Sequence, residues 1–291
     1  MDRPEIFAKL DRVAQKKGDV FAALRELPID VVADALLEVP SDYPAARAAL
    51  PKMASNDVQD SWTGNHGHTL LFQSSAFVHS VETGFLKYAG RRLENANILD
   101  YGCGWGRLIR LMYKFSSPER LYGCDPWDKS IELCQAAGIS ANLAVCEYLP
   151  KEIPFQGVKF DLIYAFSVFT HLSESTARTV LSALRSAIAD NGLLAITIRP
   201  DSYWYVHDVS KTSVDLDLMH KVHRSNGYAF TPHGHKVASA VDEAGLNTYG
   251  DASFTLEYIR QHWLGWDIVG TDVLLLDPYQ TVVFLRPTVR T

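Results

Sequence analysis

Three glycines at alternate positions form the stretch of this chain that could most directly bind a ligand. Gly102, Gly104 and Gly106 follow an apolar run at residues 98–100, which ends in an acidic residue. Without side chains the backbone can turn tightly and approach a ligand, and the positive end of a following helix would point at the same place. Arg107 stands where the dinucleotide fingerprint G-x-G-x-x-G has its third glycine. The spacing therefore favours an adenosine ligand without a pyrophosphate over NAD.

A second acidic residue follows at the interval that such a loop requires. A predicted helix at residues 108–112 leads into a short strand at residues 120–124, which ends in Asp125. Asp125 comes 19 positions after Gly106. An interval of about 20 residues places a carboxylate at the tip of the second parallel strand, where it can face ribose hydroxyls.

With these residues in place, residues 95–199 resemble the class I S-adenosylmethionine-dependent methyltransferases. The run from Asp100 to Gly106, Asp-Tyr-Gly-Cys-Gly-Trp-Gly, matches their first motif. The resemblance implies an α/β, Rossmann-like fold with a seven-stranded, mostly parallel sheet, an antiparallel C-terminal hairpin and an N-terminal helical extension. It also implies that S-adenosyl-L-methionine is the cofactor, with its methionine and ribose portions against the backbone of residues 102–106.

The resemblance assigns roles in cofactor binding to further positions. Asp100 would orient the ammonium group, Asp125 would hold both ribose hydroxyls, and Pro126 and Trp127 would flank the adenine. Glu147 and Tyr148 match the positions that contact the adenine edge, although the family more often has Asp where this chain has Glu147. The predicted cofactor-binding residues are Trp62, Thr63, Gly64, Asp100, Gly102, Cys103, Gly104, Gly106, Asp125, Pro126, Trp127, Glu147, Tyr148 and Phe166.

Residues 1–90 are predicted to form a helical extension, because apolar residues recur at intervals of three and four and prolines punctuate the runs. The extension could cover the core, or act as a lid or dimer contact. Residues 60–68 are predicted to be a loop. Within it Trp62, Thr63 and Gly64 could form the edge of the donor pocket, and a plain helix-capping turn is the alternative.

The acceptor side is predicted at the end of the fourth strand, residues 160–166, because ligands gather outside the carboxyl ends of parallel strands. Methyl transfer from a sulfonium needs a base only if the acceptor starts protonated. His171 is the best-placed base, because an imidazole titrates near neutral pH. A histidine just before a helix is also often a capping or packing residue.

The fifth strand, residues 193–198, starts after a predicted turn at Asn191-Gly192 and leads into a polar, aromatic stretch at about 200–255. In a methyltransferase domain at 91–291 this stretch would be an insertion on the acceptor side. It could recognise a polar ring such as a sugar, or be a packed surface subdomain. The predicted substrate-binding residues are Arg199, Tyr203, Trp204 and His207.

Composition limits the alternatives. The net charge is −6, with a pI near 5.9 and no basic block, which argues against a nucleic-acid partner. No apolar run approaches 18 residues and the N-terminus lacks a signal-peptide pattern, so a cytoplasmic protein without a membrane partner is expected. The four cysteines show no C-x-x-C pair and are predicted to be buried free thiols. No metal is predicted, because the spacing does not fit ligation for the histidines at 66, 68, 79, 233 and 235.

The sequence thus predicts a methyltransferase that moves a methyl group from S-adenosylmethionine to a small polar acceptor. That acceptor would be a hydroxyl, amine or carboxylate of a sugar or secondary metabolite, and the enzyme could be a homodimer. Two alternatives remain open at this stage: a catalytically silent protein that binds the same cofactor and regulates a partner, and a nucleotide-dependent oxidoreductase.

Overall fold

The computed structural model describes residues 2–206, 214–233, 240–241 and 245–288. The chain folds into two compact units. The first contains residues 1–86 and 91–145, and the second contains residues 87–90 and 146–291.

The first unit begins with the predicted helical extension. Its first helix starts in a capping box, in which Asp2 accepts from the Glu5 N–H and the Glu5 side chain accepts from the Asp2 N–H. The apolar face of this helix, including Phe7 and Leu10, is buried. The helices are α1 (Arg3–Gln15), α2 (Val20–Arg25), α3 (Ile29–Leu37), α4 (Pro44–Ala49), α5 (Asn56–Thr63) and α6 (Gly67–Ala89).

Three parallel strands follow in the first unit, β1 (Ile98–Tyr101), β2 (Leu121–Asp125) and β3 (Asn142–Val145), with α7 (Asp128–Ala136) between the last two. The helix predicted at residues 108–112 is wrong in type. A run of turns leads instead into a 3₁₀ helix, Ile109–Lys114, and a second short one, Pro118–Arg120, precedes β2. A six-residue 3₁₀ helix supplies little macrodipole, so the argument from a positive helix end also fails.

The second unit contains the parallel pair β4 (Phe160–Ala165) and β5 (Ile188–Ile198), followed by β8 (Trp266–Val273) and β9 (Thr281–Pro287), which are antiparallel to each other. The small sheet of β6 (Tyr228–Pro232) and β7 (Gly250–Phe254) is separate. The other elements are α8 (Glu174–Ala187), a 3₁₀ helix (Asp201–Tyr205), α9 (Leu216–Asn226) and α10 (Leu256–His262).

The seven remaining strands form one sheet of order β3-β2-β1-β4-β5-β9-β8. Strand β9 runs antiparallel to both β5 and β8, which confirms the predicted mostly parallel sheet with an antiparallel C-terminal hairpin. The turn predicted at Asn191-Gly192 is wrong, because these residues lie inside β5 at a shift of register against β4. Among the described residues, none of the helices has the length and hydrophobicity of a bilayer-spanning segment.

Candidate active site

The glycine loop lies at the carboxyl end of β1 and is held by the neighbouring strand. The N–H groups of Gly102 and Cys103 donate to the Cys124 carbonyl at 2.8 and 3.1 Å. Gly102, Gly104 and Gly106 have φ values of 78°, 52° and 83°, which residues with side chains rarely adopt. A left-handed residue at every second position is incompatible with an α-helix, so no α-helix starts within this loop.

Asp125 is tied to this loop by both carboxylate oxygens. Oδ2 accepts from the Gly104 N–H at 3.0 Å and Oδ1 accepts from the Trp127 N–H at 2.9 Å. Burial raises the pKa of Asp125, while the hydrogen bonds from Trp127 and Gly104 lower it. Each oxygen keeps acceptor capacity beyond these bonds. The carboxylate is therefore oriented beside the loop and can still accept from a ligand's hydroxyl groups.

Trp62 covers the same loop. Its indole ring stacks on that of Trp127, with centroids 4.8 Å apart and planes at 15°. A Cβ built on Gly104 would lie 3.4 Å from the Trp62 ring. The predicted loop at 60–68 is partly wrong, since Trp62 and Thr63 belong to the last turn of α5, which Gly64 ends with a φ of 74°. The structure thus brings Trp62 and Trp127 together on the donor loop.

Buried side chains lie in and beside the glycine loop. Asp100 and Cys103 are both buried, and a hydrogen bond with Cys134 together with burial raises the pKa of the Cys103 thiol. The Cys134 thiol also donates to the Gly104 carbonyl at 3.2 Å. All four cysteines are buried free thiols, as predicted.

Arg110 is a supporting residue that the sequence analysis missed. Its Nε donates to the Gly106 carbonyl at 2.9 Å, and its Nη1 donates to the Lys52 carbonyl at 3.0 Å. The guanidinium lies over the Trp105 ring, and burial lowers its pKa to about 10. This arginine ties the donor loop to the segment between α4 and α5. An arginine within the apolar run at 108–112 was the signal available in the sequence.

The other predicted cofactor residues belong to the second unit or flank β2. Glu147 is exposed just after β3, and the Tyr148 hydroxyl accepts from Thr248 Oγ1 at 3.3 Å. Phe166 is buried at the end of β4, and Pro126 is half-buried. Their contacts to a cofactor stay predictions.

A buried polar cluster lies beyond the carboxyl ends of β4 and β5, and we call it the Arg199 cluster. It contains Arg199, Asp251, His171, His233 and Tyr203. Arg199 Nη1 donates to Asp251 Oδ1, and the carboxylate also accepts from Tyr203 Oη at 3.1 Å and from His233 Nε2 at 3.0 Å. Burial raises the pKa of Asp251. The His233 hydrogen bond and the Arg199 charge together lower it by more, so the pKa lies below its ordinary value.

His171 is held in one tautomer by this cluster. Its Nδ1 lies 2.7 Å from the Gly250 carbonyl, which can only accept, so Nδ1 carries the proton. Its Nε2 therefore has the lone pair and accepts from Arg199 Nη2 at 3.3 Å. Burial and the Arg199 charge lower the pKa of His171 to about 3. These contacts oppose the predicted role as a general base in this arrangement.

The predicted substrate residues differ in their environments. Trp204 is fully buried, and its Nε1 donates to Ser253 Oγ at 2.8 Å, so its ring is not available to stack on an acceptor. Arg199 is buried as well, with Nη1 also donating to the Thr170 carbonyl at 2.9 Å. Tyr203 is half-buried under the Arg199 guanidinium, which lies 4.0 Å from its ring centroid. His207 lies outside the described residues.

His171, His233 and Asp251 also have the composition of a metal site. In the part of the chain that the structure describes, they are the one group whose ligand atoms lie within 4.8 Å of one another. However, the Arg199 guanidinium already contacts both Asp251 and His171, and its positive charge opposes a second cation there. Elsewhere in the described part of the chain, His66 pairs with Asp60, His68 with Asp34 and His79 with Asp30. That no metal is needed stays a prediction.

Part of this chain matches a known protein family. Residues 98–192 match the family model described as methyltransferase domain. No curated protein was found to be similar in sequence to the chain.

Several solved structures are similar to it. Magnesium protoporphyrin IX methyltransferase (ChlM) from Synechocystis PCC 6803, solved with bound SAH, is 18% identical, covering 89% of this chain and 99% of that chain with a TM-score of 0.48. A S-adenosylmethionine-dependent methyltransferase from Clostridium acetobutylicum ATCC 824 is 11% identical over 75% and 92% of the two chains, with a TM-score of 0.48. The glycopeptide N-methyltransferase MtfA, complexed with sinefungin, is 9% identical over 74% and 94%, with a TM-score of 0.48.

The named structures act on different acceptors, and identities this low assign none of them to this chain. The matched segment contains β1 and the glycine loop, Asp125, and β4. Residues 98–192 of the chain thus match a methyltransferase domain.

Proposed function

We propose that this enzyme transfers the methyl group of S-adenosylmethionine to a small polar acceptor, a hydroxyl, amine or carboxylate of a sugar or secondary metabolite. The observation that carries the donor half is the Asp125 carboxylate, which the N–H groups of Gly104 and Trp127 hold beside the glycine loop. A carboxylate fixed in this way, next to backbone without side chains, suits a nucleoside with two free hydroxyls.

The residues of the first unit fit the cofactor in three respects. Gly104 leaves a cradle that a Cβ would narrow, Asp125 keeps free acceptor capacity for the ribose, and Trp127 exposes 54% of its surface for stacking with adenine. Asp100 at the end of β1 would orient the ammonium group. Thr63, Gly64, Cys103, Pro126, Glu147, Tyr148 and Phe166 complete the proposed donor set.

When bound, the cofactor supplies a methyl group on a positively charged sulfur, which is a strong electrophile. The chain has then mainly to align the acceptor atom with the carbon–sulfur bond, and positioning alone can supply much of the rate. We assign this task to residues of the second unit, among them the half-buried Tyr203. The predicted acceptor-side insertion at 200–255 contains this residue.

His171 would act by position rather than as a base unless its Nε2 is released from Arg199. An acceptor that presents a lone pair without losing a proton first, such as a neutral amine, needs no base at all. For a hydroxyl acceptor the proton must leave as the bond to carbon forms. The predicted catalytic role of His171 therefore depends on the acceptor and stays a proposal.

Calorimetric titration tests the donor half. We expect S-adenosylmethionine and S-adenosylhomocysteine to bind with micromolar affinity and NADH not to bind. Asp125→Ala should weaken the sulfur nucleotides tenfold or more, about 1.4 kcal/mol. Asp128→Ala, in the first turn of α7, is the matched control and should change the affinity little. Tight binding of NADH with no binding of the other two would overturn the assignment.

Turnover tests the transfer itself. Purified protein incubated with S-adenosylmethionine and a metabolite pool should form S-adenosylhomocysteine, and a protein that only binds the cofactor should not. The proposed lid at residues 1–90, a homodimer and a cytoplasmic location also remain proposals. Light scattering of the purified protein would decide the homodimer.

A further inference from the structure

We infer that Gln280 and Ser167 form the recognition site for a hydroxyl or N–H group of the methyl acceptor. This inference rests on the proposed function and narrows it, because it selects hydrogen-bond donors among the acceptors proposed above.

Gln280 has a buried side-chain amide in which the nitrogen is hydrogen-bonded and the oxygen is not. Its side chain is 8% exposed, and its Nε2 donates to Ser167 Oγ at 3.1 Å. Within the described part of the chain its Oε1 has no hydrogen-bond partner. Buried polar atoms in folded proteins are nearly always paired, and an unpaired one calls for an explanation such as an absent ligand. Oε1 is thus an acceptor atom that a bound molecule can satisfy.

Ser167 is held in an unfavourable backbone conformation directly after β4. Its φ is 58°, a left-handed value that costs a residue with a side chain. The Thr197 hydroxyl fixes it by accepting from its N–H at 2.7 Å, and its own Oγ lies 3.3 Å from Thr170 Oγ1. Such strain persists only where the surroundings enforce it, and it is concentrated at functional sites.

Both residues lie at the sheet edge where ligands are expected. Ser167 follows the carboxyl end of β4, and Thr281 pairs with Ile198 at the carboxyl end of β5, so Gln280 stands beside that end. Gln280 is anchored there by a turn, in which its N–H donates to the Asp277 carbonyl at 2.9 Å. Open α/β sheets bind ligands outside the carboxyl ends of their strands.

The chemistry of the pair defines the class of acceptor. A carbonyl oxygen can only accept, so the group facing Oε1 must donate a hydrogen bond, as a hydroxyl or an N–H does. A carboxylate cannot. The positive charge of Arg199 does not favour a carboxylate either, because Asp251 neutralises it.

The stability of a Gln280→Leu variant is the first test, since it needs no acceptor. If Oε1 is unpaired in the free protein, Gln280→Leu loses only the Nε2–Ser167 hydrogen bond, so the thermal unfolding midpoint should fall by no more than about 2 °C. Gln261→Leu, at an exposed glutamine of α10, is the matched control. A fall of more than about 4 °C, against no change in the control, would show that the amide is fully paired and overturn the inference.

The second test uses methyl transfer to three probes with one ring type: methyl glucopyranoside, glucosamine and glucuronic acid. We expect transfer to a hydroxyl or amine, and a tenfold or greater loss of kcat/KM in Gln280→Leu with an unchanged Kd for S-adenosylmethionine. Unchanged kcat/KM in Gln280→Leu for a probe that the wild type methylates would overturn the inference. If no probe is methylated, the sugar class of the proposed function fails, and the stability test alone decides on Gln280.

Discussion

His171 should make the stability of this protein depend on pH in an unusual direction. A histidine that gains a carboxylate partner is stabilised by protonation, whereas His171 is buried in its neutral form with its Nε2 facing the Arg199 guanidinium. Its pKa falls from the ordinary 6.5 to about 3. Below pH 6.5 the unfolded chain therefore takes up a proton at this position and the folded chain does not.

The expected magnitude follows from these values. Above pH 6.5 both states are neutral and His171 contributes no pH dependence. Between pH 6.5 and pH 3 the free energy of unfolding falls by about 1.4 kcal/mol for each unit of pH. At pH 5.0 the loss relative to pH 7.5 is about 2 kcal/mol from this residue alone. The side chain is 20% exposed, so solvent screening makes this figure an upper value.

Urea unfolding at pH 7.5 and pH 5.0 measures this effect in wild type and in His171→Gln. Glutamine cannot titrate in this range, so the loss between the two pH values should be smaller by about 2 kcal/mol in the variant. Because only the difference between pH values is compared, any constant change in stability cancels. His171→Asn, a second side chain that cannot titrate in this range, should show the same reduction.

The same pH dependence in His171→Gln and wild type would refute the reasoning. It would mean that the pKa of His171 in the folded protein is close to its ordinary value of 6.5, as suits a general base. The predicted catalytic role would then gain support at the expense of the positioning role.

Three further predictions concern the donor loop and the Arg199 cluster. Gly106→Ala should cost about 2–4 kcal/mol of stability in chemical unfolding, because its φ is 83° and the new Cβ would lie 3.0 Å from Ile139 Cγ1 and 3.1 Å from Cys134 Sγ. Gly138→Ala, with a φ of 75° and nothing within 4 Å, should cost only about 1 kcal/mol, and equal losses would contradict the packing argument. Asp251→Asn should cost about 3–5 kcal/mol by leaving Arg199 buried without its counter-charge, whereas Glu132→Gln in the exposed pair with Lys129 should cost less than about 1 kcal/mol. Trp127→Ala should raise the Kd for S-adenosylmethionine about three- to tenfold in a calorimetric titration, and an unchanged Kd would exclude adenine stacking on this ring.

The sequence alone predicts a donor side, because the signals for it are local. Consecutive strands position the glycines at 102, 104 and 106 and the carboxylate at 125. Their residue types and spacing can therefore be recognised without knowing which distant residues contact them. The mostly parallel sheet and the C-terminal hairpin were implied by the family resemblance, and the helical extension follows from apolar residues at intervals of three and four. The loop's support was harder to predict, since Arg110 acts through carbonyls at positions 52 and 106.

The protonation, burial and hydrogen bonding of the acceptor-side groups could be known only from the tertiary structure. His171 gains its proton position from Gly250 and its depressed pKa from burial beside Arg199, and the partner Asp251 is distant in sequence. Trp204 is predicted from its type to be a stacking surface, yet it is buried against Ser253. The contact between Ser167 and Gln280 spans 113 positions. Protonation and hydrogen-bond capacity depend on neighbours that folding brings together, and a sequence pattern carries no information on which neighbours those are.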